Sequence, residues 1–175
     1  MLRVLDGEII KCRIVGTEAY MGELDKGSHV HKVGKTERTR AFWMLGGHLY
    51  IYKIYGIHFC MNIIANDKNT PQGCLIRAAE PLEGIDLIIK NREIYDEKIL
   101  TNGPGKLTAA LKIDKSFNRV DLCESEQIYL IENQDDFSFT VGCSSRVNID
   151  YAQEYKDKPW RFYIKDNKYV SNVKK

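Results

Sequence analysis

No stretch of this chain approaches the roughly 20 consecutive apolar residues that a membrane-spanning helix needs, which excludes a transmembrane reading. The first residues, "MLRVLDGEIIKC", place Asp6 and Glu8 where a signal peptide needs its apolar stretch, so a cytoplasmic location is expected. No CxxC and no HExxH occurs. The five cysteines, Cys12, Cys60, Cys74, Cys123 and Cys143, are odd in number and scattered singly, the pattern of reduced thiols and not of a disulfide framework. His29 and His31 form an HxH pair, but no cysteine or carboxylate stands at zinc-site spacing to complete it, so no metal is expected. "NGPGK" begins like a phosphate-binding loop, yet Leu107 follows Lys106 where a Ser or Thr is required, which argues against nucleoside triphosphate binding.

What remains is the composition of a soluble globular protein. Hydrophobic residues make up 43% and charged residues 29% of 175, enough for one core, and a single compact domain over 1–175 is expected. The net charge of +2 conceals an uneven distribution. "HVHKVGKTERTR" sets Lys32, Lys35, Arg38 and Arg40 against Glu37 alone, and Lys156 to Lys175 is again mainly basic, whereas "DLCESEQIYLIENQDD" has acids and no base. Basic segments interleaved with Phe42, Trp43, Trp160, Phe162 and Tyr163 fit a polyanion-binding face, and two solvated basic loops fit the same charges.

Along the chain, "EIIKCRIVGTEAY" alternates Ile10, Cys12 and Ile14 with polar or small residues, the period of a half-buried strand ending near Gly22. Residues 23–40 read as one long loop of the functional kind. Leu49 to Ile54 and Ile57 to Ile64 read as a hairpin with its corner at Tyr55-Gly56. "CLIRAAE" is a short strand, Pro81 is expected to open a helix through about Asn91, and a second helix should start near Pro104. "QIYLI", "FSFTV", "SRVNI" and "WRFYI" read as four more strands. The sum predicts a mixed α/β (α+β) fold with a curved, largely antiparallel sheet, a few flanking helices and a protruding hairpin.

Several residues stand out for chemistry. Glu18 and Tyr20, two apart on a strand, share a face, and a carboxylate beside a ring can activate water while the ring holds a flat substrate. Arg77 lies among apolar neighbours and must pair with an acid, for which Glu80 and Glu18 are the candidates, or serve a site, since an unpaired buried charge is costly. Asn62 is a polar amide inside an apolar strand and must find hydrogen-bond partners or line a pocket. Backbone N–H groups near Pro104, with Lys106, could hold one phosphate of a nucleic-acid backbone, and a plain helix cap explains the same residues.

Taken together, "RIVGTEAYMG", "HLYIYKIYGIHFCMNI", "LIRAAEPLEG", "GPGKLTAALKI" and "KPWRFYI" resemble, in order and spacing over almost the whole chain, the alkyladenine (3-methyladenine) DNA glycosylase family. The resemblance implies a monofunctional base-excision repair enzyme, without cofactor or metal, acting as a monomer on double-stranded DNA that contains damaged purines. It implies Glu18 as the base that activates the attacking water, Arg77 as its helper, and the backbone carbonyl of Val147 as a third element of the water site. Tyr20 and Tyr52 are implied as the rings that sandwich the extruded base, His29 and Asn62 as further pocket residues, and Tyr55 as the wedge that enters the duplex. Arg38, Arg40 and Lys106 fit DNA-backbone contact by position and charge. Where some members carry a second acid, this chain has Gly16. Two other classes remain at this point: a non-catalytic nucleic-acid-binding domain of the same fold, and a hydrolase of a small non-nucleic substrate.

Overall fold

A computed structural model describes residues 1–132 and 138–171. In chain order the described elements are β1 (Leu2–Leu5), β2 (Glu8–Tyr20), β3 (Leu49–Ile54), β4 (His58–Ala65), β5 (Gln72–Glu83), α1 (Ile85–Arg92), α2 (Pro104–Ala110), β6 (Ile128–Tyr129), β7 (Val141–Ser144) and β8 (Arg161–Ile164). They form one curled antiparallel sheet in the order β3-β4-β5-β2-β1-β6, with β8 on β2 and β7 on β8. β2 is the spine: β5 runs along one edge, while β1 takes the first half of the other edge and β8 the second.

The apolar face of the sheet carries the helices. Ile10, Cys12, Leu49, Ile51, Met61 and Ile76 cluster with Ile88 of α1 and Leu107, Ala110 and Leu111 around α2. Each large side chain so buried contributes roughly 1.5–3 kcal/mol, which makes this layer the main source of stability.

β2 does not keep one face throughout. Ile14 pairs with Ala79, Gly16 with Ala78 and Thr17 with Ile76, so Val15 on β2 and Arg77 on β5 have no register partner across this ladder. Such bulges re-aim the side chains that follow. Strict alternation from Ile10 would turn Glu18 into the helix-covered core, whereas beyond the bulge Glu18 and Tyr20 point to the opposite face and line a cleft.

The hairpin corner is a primed turn: Tyr55 and Gly56 have φ of 49° and 73°, and the Ile57 N–H donates to the Ile54 carbonyl at 3.2 Å. The second helix does start at Pro104. The first does not start at Pro81, which pairs with Cys12 inside β5 at a register shift, a place where a residue without an N–H is tolerated. Helix α1 begins after Gly84, whose φ is 75° and where an added Cβ would stand 2.5 Å from the Ile9 carbonyl oxygen.

The expected strand at "SRVNI" is absent: β7 ends at Ser144, and 145–149 run as irregular backbone whose amides are free for other partners. "QIYLI" contributes only Ile128–Tyr129, while "FSFTV" begins at Phe137, outside the described residues, and supplies Val141 to β7. The loop over 23–40 holds no strand or helix before Arg40, yet Asp25, Ser28, Val30 and Thr39 are buried in it.

Candidate active site

Directly opposed residues on neighbouring strands share a face. The register runs Tyr50 to Asn62, Asn62 to Leu75, Leu75 to Glu18 and Glu18 to Arg161, a row across five strands. Together with alternate residues Tyr52, Cys60 and Tyr20, part of this row lines an open cleft of about 670 Å³ on the sheet face opposite the Ile10, Cys12 and Ile76 core, with the first turn of α2 at its edge. His29, Phe42, Val147, Tyr151 and the segment Asn102–Lys106 complete its lining.

Glu18 is the floor of the cleft and is fully buried. Its Oε1 accepts from Arg77 Nη1 at 3.3 Å and from the Val147 backbone N–H at 2.9 Å, and its Oε2 accepts from the Tyr20 hydroxyl at 3.1 Å. Of the two partners expected for Arg77, Glu18 is the one it takes, and Glu80 pairs with Arg13 at 3.1 Å. Val147 thus meets the carboxylate through its N–H. A buried carboxylate held by three donors is oriented in one rotamer, with its remaining lone pairs available at the cleft.

Aromatic rings make up much of the wall. Burial, then the Glu18 carboxylate, push the Tyr20 hydroxyl well above its ordinary range, so it stays protonated and donates. Tyr52 is also pushed up by burial and stacks on Tyr50 with ring centroids 5.4 Å apart. Tyr50 is behind the surface, 1% exposed, with its hydroxyl 3.0 Å from His29 Nδ1. His29 lies edge-on to Tyr52 at 4.4 Å, and burial, then the charge of Arg38, bring its pKa down to about 4. It is therefore neutral at pH 7. The HxH pair does not converge, because His31 Nδ1 faces the Glu23 carbonyl at 2.7 Å. Asn62 is buried and donates from Nδ2 to the Tyr50 carbonyl at 3.2 Å.

Tyr55 is 80% exposed at the hairpin tip and borders the cleft. Lys106 also borders it and donates to Asn102 Oδ1 at 2.8 Å. Arg38 is exposed, lies outside the cleft lining, and is near enough for its charge to act on Tyr50 and His29. Arg40 is not brought to the cleft; it faces a separate basic groove with Lys35, Lys68 and Arg119, and Glu37 pairs with both arginines.

Three buried charged residues near the cleft escape sequence reasoning. Asp25 and Arg146 form a fully buried ion pair, 2.6 and 2.8 Å across its two contacts, although 121 residues separate them. Arg161, buried beside Glu18 in register, donates from Nη2 to the Ser171 carbonyl. Only the polar character of Asp25 and Arg146 within otherwise ordinary segments hinted at them, and nothing in their spacing pairs them.

No helix among the described residues is long and apolar enough to cross a membrane. No group of three or more His, Cys, Asp or Glu that could hold a metal ion occurs among them.

Comparison with known proteins supplies the frame for this cleft. The chain is 48% identical over 173 residues to a protein of Natranaerobius thermophilus, covering 98% of this chain and 87% of that one. A protein of Clostridium novyi is 47% identical over 167 residues (91% and 82%), and one of Borreliella burgdorferi 46% identical over 172 residues (98% and 88%). All three carry the provisional name 3-methyladenine DNA glycosylase. The sequence profile described as methylpurine-DNA glycosylase matches residues 1–168. The chain belongs to the methylpurine-DNA glycosylase family, and its enzyme class is that of a DNA glycosylase.

Proposed function

We propose that the protein, acting as a monomer, draws a damaged purine out of duplex DNA and hydrolyses its N-glycosidic bond with a water activated by Glu18. The observation that carries this reading is the fully buried Glu18 carboxylate, held by Arg77, Tyr20 and the Val147 amide at the floor of an aromatic cleft. In the reaction Glu18 takes a proton from water and the oxygen bonds to the sugar C1′. The C1′–N bond breaks with its electron pair going to the base. An alkylated, cationic purine leaves as a neutral molecule, and an electron-rich aromatic wall favours its charge. A neutral lesion such as hypoxanthine leaves with the bond pair as an anion, which takes a proton from solvent water.

The cleft is suited to an extruded base. Flipping costs a few kcal/mol, least for a damaged pair. Stacking on a ring returns roughly 1–3 kcal/mol per base, so walls built from Tyr20 and Tyr52, with Tyr55 filling the vacated stack, are of the right size to offset it. His29 has a defined role in this scheme. Neutral and held through Nδ1 against the Tyr50 hydroxyl at 3.0 Å, its imidazole offers Nε2 to the base as a hydrogen-bonding group. Asn62, fixed by its bond to Tyr50, limits the space for a substituent on the purine edge. Lys106 and Arg38 serve as phosphate contacts near the cleft, and Arg40 serves farther along its own groove.

The decisive experiment is the Glu18→Gln variant assayed on duplexes containing 7-methylguanine or hypoxanthine. Loss of base release with duplex binding kept is expected; release at the wild-type rate would sink the mechanism.

A further inference from the structure

We infer that Arg146 and Asp25 form a positioning pair for this reaction, holding Tyr20, Glu18 and the approach to His29 in one geometry; the inference rests on the reading of the site proposed above. The guanidinium lies 4.6 Å from the centroid of the Tyr20 ring and 5.0 Å from that of Trp160. Tyr20 lines the cleft, whereas the Arg146 side chain is fully buried and outside the lining, so Arg146 backs the ring face turned away from the base. Its Nη1 also donates at 2.9 Å to the carbonyl of Ala19, the residue between Glu18 and Tyr20.

The pair is tied to the other two parts of the site through the backbone next to Arg146 and through Asp25. The next residue along the chain, Val147, gives its amide to Glu18. Asp25 accepts from the Met21 and Gly27 amides at 3.0 and 2.9 Å, and so shapes the loop that delivers His29 two residues later. The fit leaves no slack: a Cβ at Gly27 would stand 2.9 Å from Arg146 Nη2.

A buried ion pair is an inefficient way to hold a core together. Desolvating both charges offsets their attraction, and apolar residues of the same volume do as well or better. What apolar residues cannot do is fix four groups at once. A planar guanidinium can, because it grips a carboxylate bidentately, bonds a carbonyl and stacks flat on rings. Lysine keeps the charge and none of the plane.

The test compares wild type, Arg146→Lys and Asp25→Asn. Single-turnover release from a hypoxanthine duplex at saturating enzyme is measured, with the dissociation constant for a duplex carrying an abasic-site analogue and the thermal midpoint. Misplaced reacting groups predict a folded Arg146→Lys enzyme whose release is slower by roughly ten- to a hundredfold. Its duplex affinity should stay within about threefold, since uniform binding is untouched. Asp25→Asn should show the same split between rate and affinity. A folded variant of either kind that releases base at nearly the wild-type rate overturns the inference. So does loss of fold in both, which would reduce the pair to scaffolding, and so does a fall in affinity that accounts for the whole loss. Wild-type protein that releases no base is a different failure, because it removes the reading of the site itself.

Discussion

Tyr20 and Glu18, two residues apart on β2, are joined through the tyrosine hydroxyl, which donates to the carboxylate at 3.1 Å. The ring that walls the cleft is therefore also a ligand of its acid. Tyr20→Phe separates the two roles, because it keeps the ring and deletes one charge-assisted hydrogen bond, worth roughly 1.5–3 kcal/mol. Release from a hypoxanthine duplex is expected to slow by about ten- to a hundredfold. Single-turnover kinetics check it, and an unchanged rate would show the hydroxyl to be idle.

Arg77 tests the other side of the same carboxylate. With the guanidinium gone, Glu18 keeps two neutral donors in a fully buried position, and removing one partner of a buried pair costs roughly 3–5 kcal/mol. Arg77→Met should thus lose both stability and release at pH 7. A thermal midpoint within a degree or two of wild type would show that solvent or another cation takes over.

The hairpin tip, the long polar loop and the start of α2 were legible because each rests on local chemistry: Tyr55-Gly56 for a corner, Pro104 for a first helical turn. Spacing also put Glu18 and Tyr20 on one face of their strand, whereas the part expected of Tyr52 came from the family resemblance. What spacing could not show is the bulge at Val15 and Arg77, without which alternation aims Glu18 into the core. Pro81 misled for the same reason, since a register shift let a proline sit within a paired strand. Arg146 and Asp25 were illegible because their pairing is a tertiary fact between segments far apart in the chain.

His29 gives a pH dependence with a definite sign. Burial and Arg38 lower its folded pKa from 6.5 to about 4, so between these values the unfolded chain binds the proton that the folded one refuses. Its contribution to stability is present above pH 6.5 and is lost as the pH falls to about 4. The loss is at most roughly 3 kcal/mol across that window. Urea melts of wild type and His29→Gln from pH 7 to 4 check this. The variant should lack that part of the slope, and parallel curves would contradict the lowered pKa.

The chain's lysines offer a test of reaction class. A water-based mechanism forms no covalent bond between protein and sugar, whereas a glycosylase that attacks through an amine passes through a Schiff base that borohydride traps. Incubation of the protein with a lesion duplex and borohydride should yield no cross-linked species on a denaturing gel, while the abasic product accumulates. A trapped adduct would assign the attack to a lysine and displace Glu18 from the role of activating water.

Tyr55 allows activity and stability to be uncoupled at one position. The ring is 80% exposed, and the residue holds a φ of 49°, a conformation that costs a non-glycine side chain about 1 kcal/mol or more. Tyr55→Gly removes the ring and relieves that strain, so the thermal midpoint should hold or rise slightly, net of the greater freedom of glycine in the unfolded chain. Release from a fully paired duplex should fall, because no ring fills the vacated stack. Release from the same lesion in a single strand should change little, since no neighbouring pairs must be opened. Comparing the two substrates isolates the wedge: equal losses on both would mean that Tyr55 acts within the pocket and not on the duplex.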